Sequence, residues 1–198
     1  MTALILATTN PGKIEEFKRL LMPLISVAPP PRKLSVEEDG RTYFENAQKK
    51  ALVYYQEFKT PMLSDDSGLE IDILNGAPGV FSARWGGEKL SWPQRWCFAL
   101  KQLEETSPEK WICQFRSVLC FYDGVEFQFF EGVTRGRLIA IPRGDAGFGY
   151  DPIFFSDTLQ KTFGEATPIE KDSASHRAFA AQAFLRWWKT RGNSPPIS

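Results

Sequence analysis

The stretch from Trp111 to Ile141 constrains the fold of this chain more than any other. Trp111, Cys113 and Phe115 fall at every second position, Asp123-Gly124 is a hairpin-turn dipeptide, and Val125, Phe127 and Phe129 resume the period of two. A period of two puts successive side chains on opposite faces of a strand, so this is an antiparallel section. The residues on either side of it read differently.

Ala3 to Ala7 is a short apolar run, and after Thr8, Thr9, Asn10, Pro11 and Gly12 the residues Ile14, Phe17, Leu20 and Leu21 recur at helical spacing. The pattern is strand, loop, helix, with Asn10 as cap and Pro11 at the first position, where a missing N–H costs nothing. Thr42 and Glu45 have capping-box spacing ahead of Phe44, Ala47, Ala51, Tyr54 or Tyr55, and Phe58. That second helix is expected to end near Lys59, before Pro61. Ser91 and Gln94 open a third in the same way, with Trp96, Ala99, Leu100 and Leu103 inward. Met62 to Ser64, Leu69 to Ile73 and Ile153 to Phe155 are short enough for strands. Ser175 to Arg191 reads as a final helix, apolar almost all round through Phe179, Phe184, Leu185, Trp187 and Trp188. Residues 192–198 form a polar tail with Pro195 and Pro196, expected to fray, and Pro29 to Pro31 reads as a stiff loop. The expectation is one α/β domain over residues 1–198, a mixed sheet with helices packed on it and a cleft between lobes.

A chain of 198 residues buries roughly 70% of the surface its unfolded form exposes, enough for a pocket without staples. Lys plus Arg and Asp plus Glu both number 24, so no net positive field draws the chain to nucleic acid polymers or anionic membranes. Any phosphate site is local. Cys97, Cys113 and Cys120 form no C-x-x-C pair and read as packing residues in a reducing compartment. With no basic leader and no apolar run of about 20 residues, the expected location is the cytoplasm. His176 is the single histidine, which argues against a zinc site; a catalytic metal here would be held by carboxylates, and oxygen ligands favour Mg²⁺ or Mn²⁺.

Four segments carry chemistry. Thr8 to Lys13, TTNPGK, places a glycine and small polar residues at a helix N-terminus, where free N–H groups favour an anion and Lys13 adds a full charge; strand–NPG–helix is also a common structural turn. Glu37, Glu38 and Asp39 precede the second helix, as a solvated acidic run or a cation site. Asp65-Asp66-Ser67-Gly68, read as lying just past a strand end, pairs two carboxylates in the manner of a metal and water site. Gly144 to Asp151 flanks Phe148 and Tyr150 with glycines, offering an aromatic face to a base or simply a tight turn. Lys171, His176 and Arg177, read at the start of the last helix, oppose its dipole there, and an anionic or carbonyl ligand would offset that.

Taken together, TTNPGK, YFENAQKKA, SDDSGLEID, PGVFSARW, GFGYDPIFF and KDSASHR stand in an order and spacing that resemble the inosine triphosphatase family, the XTP/dITP diphosphatases. The resemblance spans nearly the whole chain. It implies two α/β lobes around a long mixed sheet, an active site in the cleft between them, and a homodimer. It also implies Mg²⁺-dependent hydrolysis of ITP, dITP, XTP and dXTP to monophosphate and pyrophosphate. Residue by residue, it places the triphosphate against Thr8, Thr9, Asn10, Pro11, Gly12 and Lys13 with Lys50 nearby, and Mg²⁺ on Glu38 and Asp66. Asp66 and Lys13 are implied as catalytic groups and Ser67 as a substrate contact. Phe148, Gly149, Tyr150, Asp151, Lys171, His176 and Arg177 are implied around base and sugar, and Arg84 is a weaker candidate. Thr9 stands where the family commonly has glycine, Ala174 where a larger apolar residue is usual, and Ser156 where proline is frequent. Two other readings are a pyrophosphatase for modified pyrimidine or methylated nucleotides, and a nucleotide-binding protein without turnover. Trp92, Trp96, Trp187 and Trp188 suit either a dimer interface or core packing.

Overall fold

The computed structural model describes residues 4–191, so the expected fraying of 192–198 lies outside the described residues. In chain order the main elements are β1 (Leu4–Leu6), α1 (Pro11–Leu21), β2 (Val27–Ala28), α2 (Tyr43–Phe58), β3 (Met62–Ile71) and α3 (Trp92–Lys101). They continue with β4 (Ile112–Tyr122), β5 (Phe127–Leu138), β6 (Phe154–Ser156), β7 (Lys161–Thr162), α4 (Pro168–Ala174) and α5 (His176–Thr190). Seven strands form a sheet in the order β2-β1-β3-β4-β5-β6-β7. β1 runs parallel to β2 and β3, whereas β6 is antiparallel to β5 and β7, so the fold is α/β with a mixed sheet.

β4 and β5 are joined by residues 123–126 alone, far too few for a parallel crossover, and form the expected hairpin. Asp123 Oδ1 accepts the N–H groups of Val125 (3.0 Å) and Glu126 (3.1 Å). This Asx turn takes Val125 out of the strand and leaves it 86% exposed; Phe127 and Phe129 are half-buried, and the buried face of β5 is Phe130, Gly132, Thr134, Gly136 and Leu138, one position out of step with the expected alternation.

The chain forms two compact units, one made of residues up to Asp66, Ser117–Gly132 and the segment from His176 on, the other of Ser67–Arg116 and Val133–Ser175. In the first, α1 turns Phe17 and Leu21 onto Leu4, Leu6 and Leu63, and α5 adds Ala180, Ala181 and Phe184. Each fully buried Phe or Leu contributes about 1.5–3 kcal/mol. The approach of α5 to β5 depends on Gly132, where a Cβ would lie 2.1 Å from the His176 carbonyl oxygen. The caps are as the sequence predicts: Asn10 Oδ1 accepts the Lys13 N–H, and Thr42 and Glu45 form a reciprocal box.

In the second unit, Leu69, Ile71, Ala99, Leu103, Trp111, Cys113, Phe115, Leu138, Phe154 and Phe163 share a core. Trp92 and Trp96 pack against that core, and Trp187 and Trp188 against the core of the first unit. Cys113 and Cys120 are buried, and burial pushes the Cys120 thiol up to about 12; Cys97 is exposed and packs no core, contrary to expectation. Among the described residues no helix is long and apolar enough to cross a membrane.

β3 departs most from expectation. Met62 to Ser64 and Leu69 to Ile73 are not two strands with a loop between them: residues 62–71 are one continuous strand, and Asp65 and Asp66 lie within it. Their carboxylates are tolerated there because cations from distant parts of the chain meet them.

Candidate active site

In the first unit, β1 delivers the chain into Thr8, Thr9 and Asn10, with Thr9, Asn10 and Pro11 exposed and Thr8, Gly12 and Lys13 half-buried. Thr8 Oγ1 accepts the Asn10 N–H at 3.2 Å, which shapes the loop ahead of the cap. The Lys13 side chain turns inward, its Nζ 2.7 Å from Asp65 Oδ2.

Successive residues of a strand face opposite sides, so Asp65 and Asp66 meet different partners. Asp65 receives Lys13, the Ser117 hydroxyl (2.6 Å) and Arg177 Nε (3.5 Å), and Arg177 Nη1 also reaches Glu16 Oε2 at 3.0 Å. Burial alone would raise the Asp65 carboxyl, but Lys13 and Arg177, with hydrogen bonds from Lys13 and Ser117, hold it far below the ordinary carboxylate range. Lys13 is pushed below the usual lysine value by burial, Lys50 and Arg177, which outweigh Asp65.

Asp66 faces α2. Its Oδ1 lies 2.9 Å from Lys50 Nζ and its Oδ2 accepts from Asn46 Nδ2 at 3.3 Å. The same Lys50 Nζ is 3.1 Å from Glu38 Oε2, so one ammonium joins both carboxylates. Burial raises the Asp66 carboxyl and the Glu38 charge adds to it, outweighing Lys50 and Lys13. Glu38 moves the other way: burial would raise it, but Lys50 and a hydrogen bond shared with Asp66 lower it. Lys50 is raised, because Asp66 and Glu38 outweigh its burial.

Among the described residues no group of three or more His, Cys, Asp or Glu side chains converges as a ready-made metal cage. Two carboxylates do converge, with no soft ligand beside them. That donor set fits Mg²⁺, which is held by one or two carboxylates and completes its shell with waters and substrate phosphates.

In the second unit, Asp151 Oδ2 accepts the Phe148 N–H (2.8 Å) and takes Lys171 Nζ at 2.5 Å. Gly147 has φ +73°, and a Cβ there would lie 2.1 Å from the same Asp151 oxygen, so the loop requires glycine. Lys171 Nζ also sits 5.0 Å from the centre of the half-buried Phe148 ring. Tyr150 is core: its hydroxyl donates to the Ser82 carbonyl at 3.0 Å and its ring meets the edge of Trp92. Trp96 Nε1 donates to the Gly149 carbonyl at 2.8 Å. Ser67 is half-buried in β3, and the Arg84 guanidinium lies 5.1 Å from the Phe81 ring.

Lys171 does not stand at the start of the last helix. It lies in the last turn of α4, where the dipole favours a cation, and α5 begins separately at His176 beyond Ser175. His176 and Arg177 are both buried, and Arg177 is joined to Asp65 and Glu16.

The structure thus gathers Lys13, Lys50, Glu38, Asp66 and Arg177 in the first unit, and Phe148, Gly149, Asp151 and Lys171 in the second. Glu16, Ser117 and Asn46 join these clusters without having been singled out from the sequence, and Asp65, expected beside Asp66 in a metal and water site, is tied instead to Lys13, Arg177 and Ser117. Glu16 and Asn46 carried a readable signal, being three residues from Lys13 and four from Lys50 on the same helix faces. Ser117 carried none.

Residues 4–187 match the Ham1 family, described as Ham1p-like. A dITP/XTP pyrophosphatase of Aquifex aeolicus is 41% identical over 192 residues, covering 92% of this chain and 94% of that protein. A HAM1 protein from Coxiella burnetii superposes with a TM-score of 0.85 at 35% identity, covering 96% of this chain and 100% of that one. The Ham1 protein of Staphylococcus aureus superposes with a TM-score of 0.84 at 32% identity, with the same coverage of 96% and 100%. A match over nearly the whole length, in sequence and in fold, establishes that the chain belongs to the Ham1 family.

Proposed function

We propose that this chain hydrolyses dITP, ITP, XTP and dXTP to the monophosphate and pyrophosphate with Mg²⁺, removing deaminated purines from the nucleotide pool. The observation that carries the reading is Lys50 Nζ between Glu38 and Asp66, beside the strand position that holds Lys13. Glu38 and Asp66 are the residues that would hold Mg²⁺. When bound, the ion supplies charge that offsets the triphosphate oxygens and polarises water.

The rest is the work of the chain itself. Asp66 or a neighbouring carboxylate takes the proton from the attacking water. Water attacks the α-phosphorus, the bond to the bridging oxygen breaks, and the electron pair leaves with pyrophosphate. Lys13, Lys50 and the N–H groups at the start of α1 stabilise the charge moving onto that leaving group, a task of positioning rather than covalent chemistry. Asp65, fixed by Arg177 and Ser117, aims the Lys13 ammonium.

Base choice is assigned to Phe148 as a stacking face, with Asp151 and Lys171 fixing its loop, and to a loop N–H that meets the 6-carbonyl of inosine or xanthine. Adenine presents an amine at that position. A mismatched buried polar group costs about 1–3 kcal/mol, which suppresses the wrong base on the order of 10- to 100-fold. Ser67 is assigned to the sugar or phosphate. The two subunits of a homodimer and a cytoplasmic location complete the proposal.

Turnover of dITP in H₂¹⁸O tests the bond cleaved. The reading expects the label in the monophosphate; label in pyrophosphate would mean attack at the β-phosphorus and would overturn it.

A further inference from the structure

Glu38 belongs to a segment, residues 29–42, with no helix or strand of its own. Its carboxylate nevertheless arrives at the same ammonium as Asp66, so something must fix the end of that loop. Three successive backbone N–H groups do so by donating to side chains of the first turn of α2. Arg41 and Thr42 donate to Glu45 Oε2 at 2.6 and 3.2 Å, and Gly40 donates to Asn46 Oδ1 at 2.8 Å.

Asn46 is wholly buried, and its other side-chain atom, Nδ2, reaches Asp66 Oδ2 at 3.3 Å. One helical turn further on, Lys50 takes the remaining Asp66 oxygen and Glu38. Loop, helix and strand are therefore closed into a circuit running Gly40, Asn46, Asp66, Lys50, Glu38 and back along the chain to Gly40. Ser64 ties α2 to β3 nearby, its hydroxyl donating to the Ala47 carbonyl at 2.6 Å. The circuit leaves no room at residue 40, where a Cβ would lie 2.6 Å from Asn46 Oδ1 and 2.9 Å from Glu45 Cβ.

We propose that Asn46 is a positioning residue that holds Glu38 and Asp66 in one frame for the cation. This rests on the reading of those two carboxylates as the Mg²⁺ ligands. The task needs an acceptor for the Gly40 N–H and a donor for Asp66 on one short side chain, which asparagine supplies; aspartate offers only acceptors when ionised and alanine offers neither. Lys50 spans the same two carboxylates, but as a point charge on a flexible stem, and its charge competes with a cation for them. A neutral amide orients Asp66 without that competition. Partners that orient a metal ligand in this way typically change metal affinity or activity by about 10- to 100-fold when removed.

The test uses Mn²⁺ as a paramagnetic stand-in for Mg²⁺, with free Mn²⁺ read by electron paramagnetic resonance in the full chain without nucleotide. Asn46→Ala and Gly40→Ala disturb the circuit from its two ends, and Glu38→Gln removes a ligand. Folding of each is checked by circular dichroism. The expected result is Mn²⁺ dissociation about 10- to 100-fold weaker in Asn46→Ala and in Gly40→Ala. The midpoint of Mg²⁺ activation should shift in parallel, while KM for dITP at saturating Mg²⁺ changes little. Should Asn46→Ala fail to fold, Gly40→Ala, which leaves the amide in place, carries the same expectation. Wild-type Mn²⁺ affinity and activation midpoint in the disturbed variants, with Glu38→Gln weakened, overturn the role of Asn46 alone. Unchanged affinity in Glu38→Gln as well overturns the metal assignment and the proposal with it.

Discussion

Lys13 Nζ lies 2.7 Å from Asp65 Oδ2 at a carboxylate wholly withdrawn from solvent, while the next residue in the strand, Asp66, is paired with Lys50 instead. Two adjacent like charges in a buried strand are sustained by two separate cations, one from α1 and one from α2. Asp65 thereby becomes the joint at which Lys13, Arg177 and Ser117 meet.

Asp65→Asn should therefore be strongly destabilising, because Lys13 and Arg177 lose the carboxylate they face. Breaking one side of a buried ion pair costs about 3–5 kcal/mol, and for a chain of this size that lowers Tm by about 6–20 °C. Asp39→Asn, which removes an exposed and solvent-screened partner of Lys49, should cost far less. Urea unfolding of both variants beside wild type checks the contrast; equal effects would mean that the Asp65 cluster carries no special share of stability.

Lys13→Met should lower kcat by about 10²- to 10³-fold, the usual loss when one donor to a developing charge is removed. The variant should still fold, since Arg177 remains beside Asp65. Steady-state kinetics with dITP, set beside a thermal melt, separates the two effects. A change in KM with kcat intact would reassign Lys13 to ground-state binding.

Much of this was legible in the chain. The caps at Asn10, Thr42 and Ser91, the D-G hairpin and the segments around Lys13, Asp66 and Asp151 needed only spacing and residue type. Asp65-Asp66-Ser67-Gly68 misled because by composition it is loop material. Its inclusion in β3 depends on Lys13, Lys50 and Arg177, which lie far away in sequence and are brought in by the fold. The break between α4 and α5 was readable and was obscured by the long apolar run that follows: Thr167 and Glu170 have capping-box spacing, and the structure forms that box.

Glu170 also makes α4 sensitive to acid. Its carboxyl is held down to about 2 by hydrogen bonds from Lys161 and from the N–H and hydroxyl of Thr167, against an ordinary value of 4.5. A depressed carboxyl contributes stability that is complete above the unfolded value and is lost as pH falls toward the folded one. Protection of the α4 amides against hydrogen exchange should thus fall between pH 4.5 and about 2 in wild type, and this component should vanish in Glu170→Gln. An identical pH profile in the variant would remove Glu170 from the account.

The most direct test of the central claim is pyrophosphate release from dITP, XTP, dGTP, dATP and dTTP, with Mg²⁺ and with EDTA, for wild type and Asp66→Asn. Release should be strongest from dITP and XTP, abolished by EDTA and lost in the variant. Release from dATP equal to that from dITP, or turnover that survives both EDTA and Asp66→Asn, would contradict that claim.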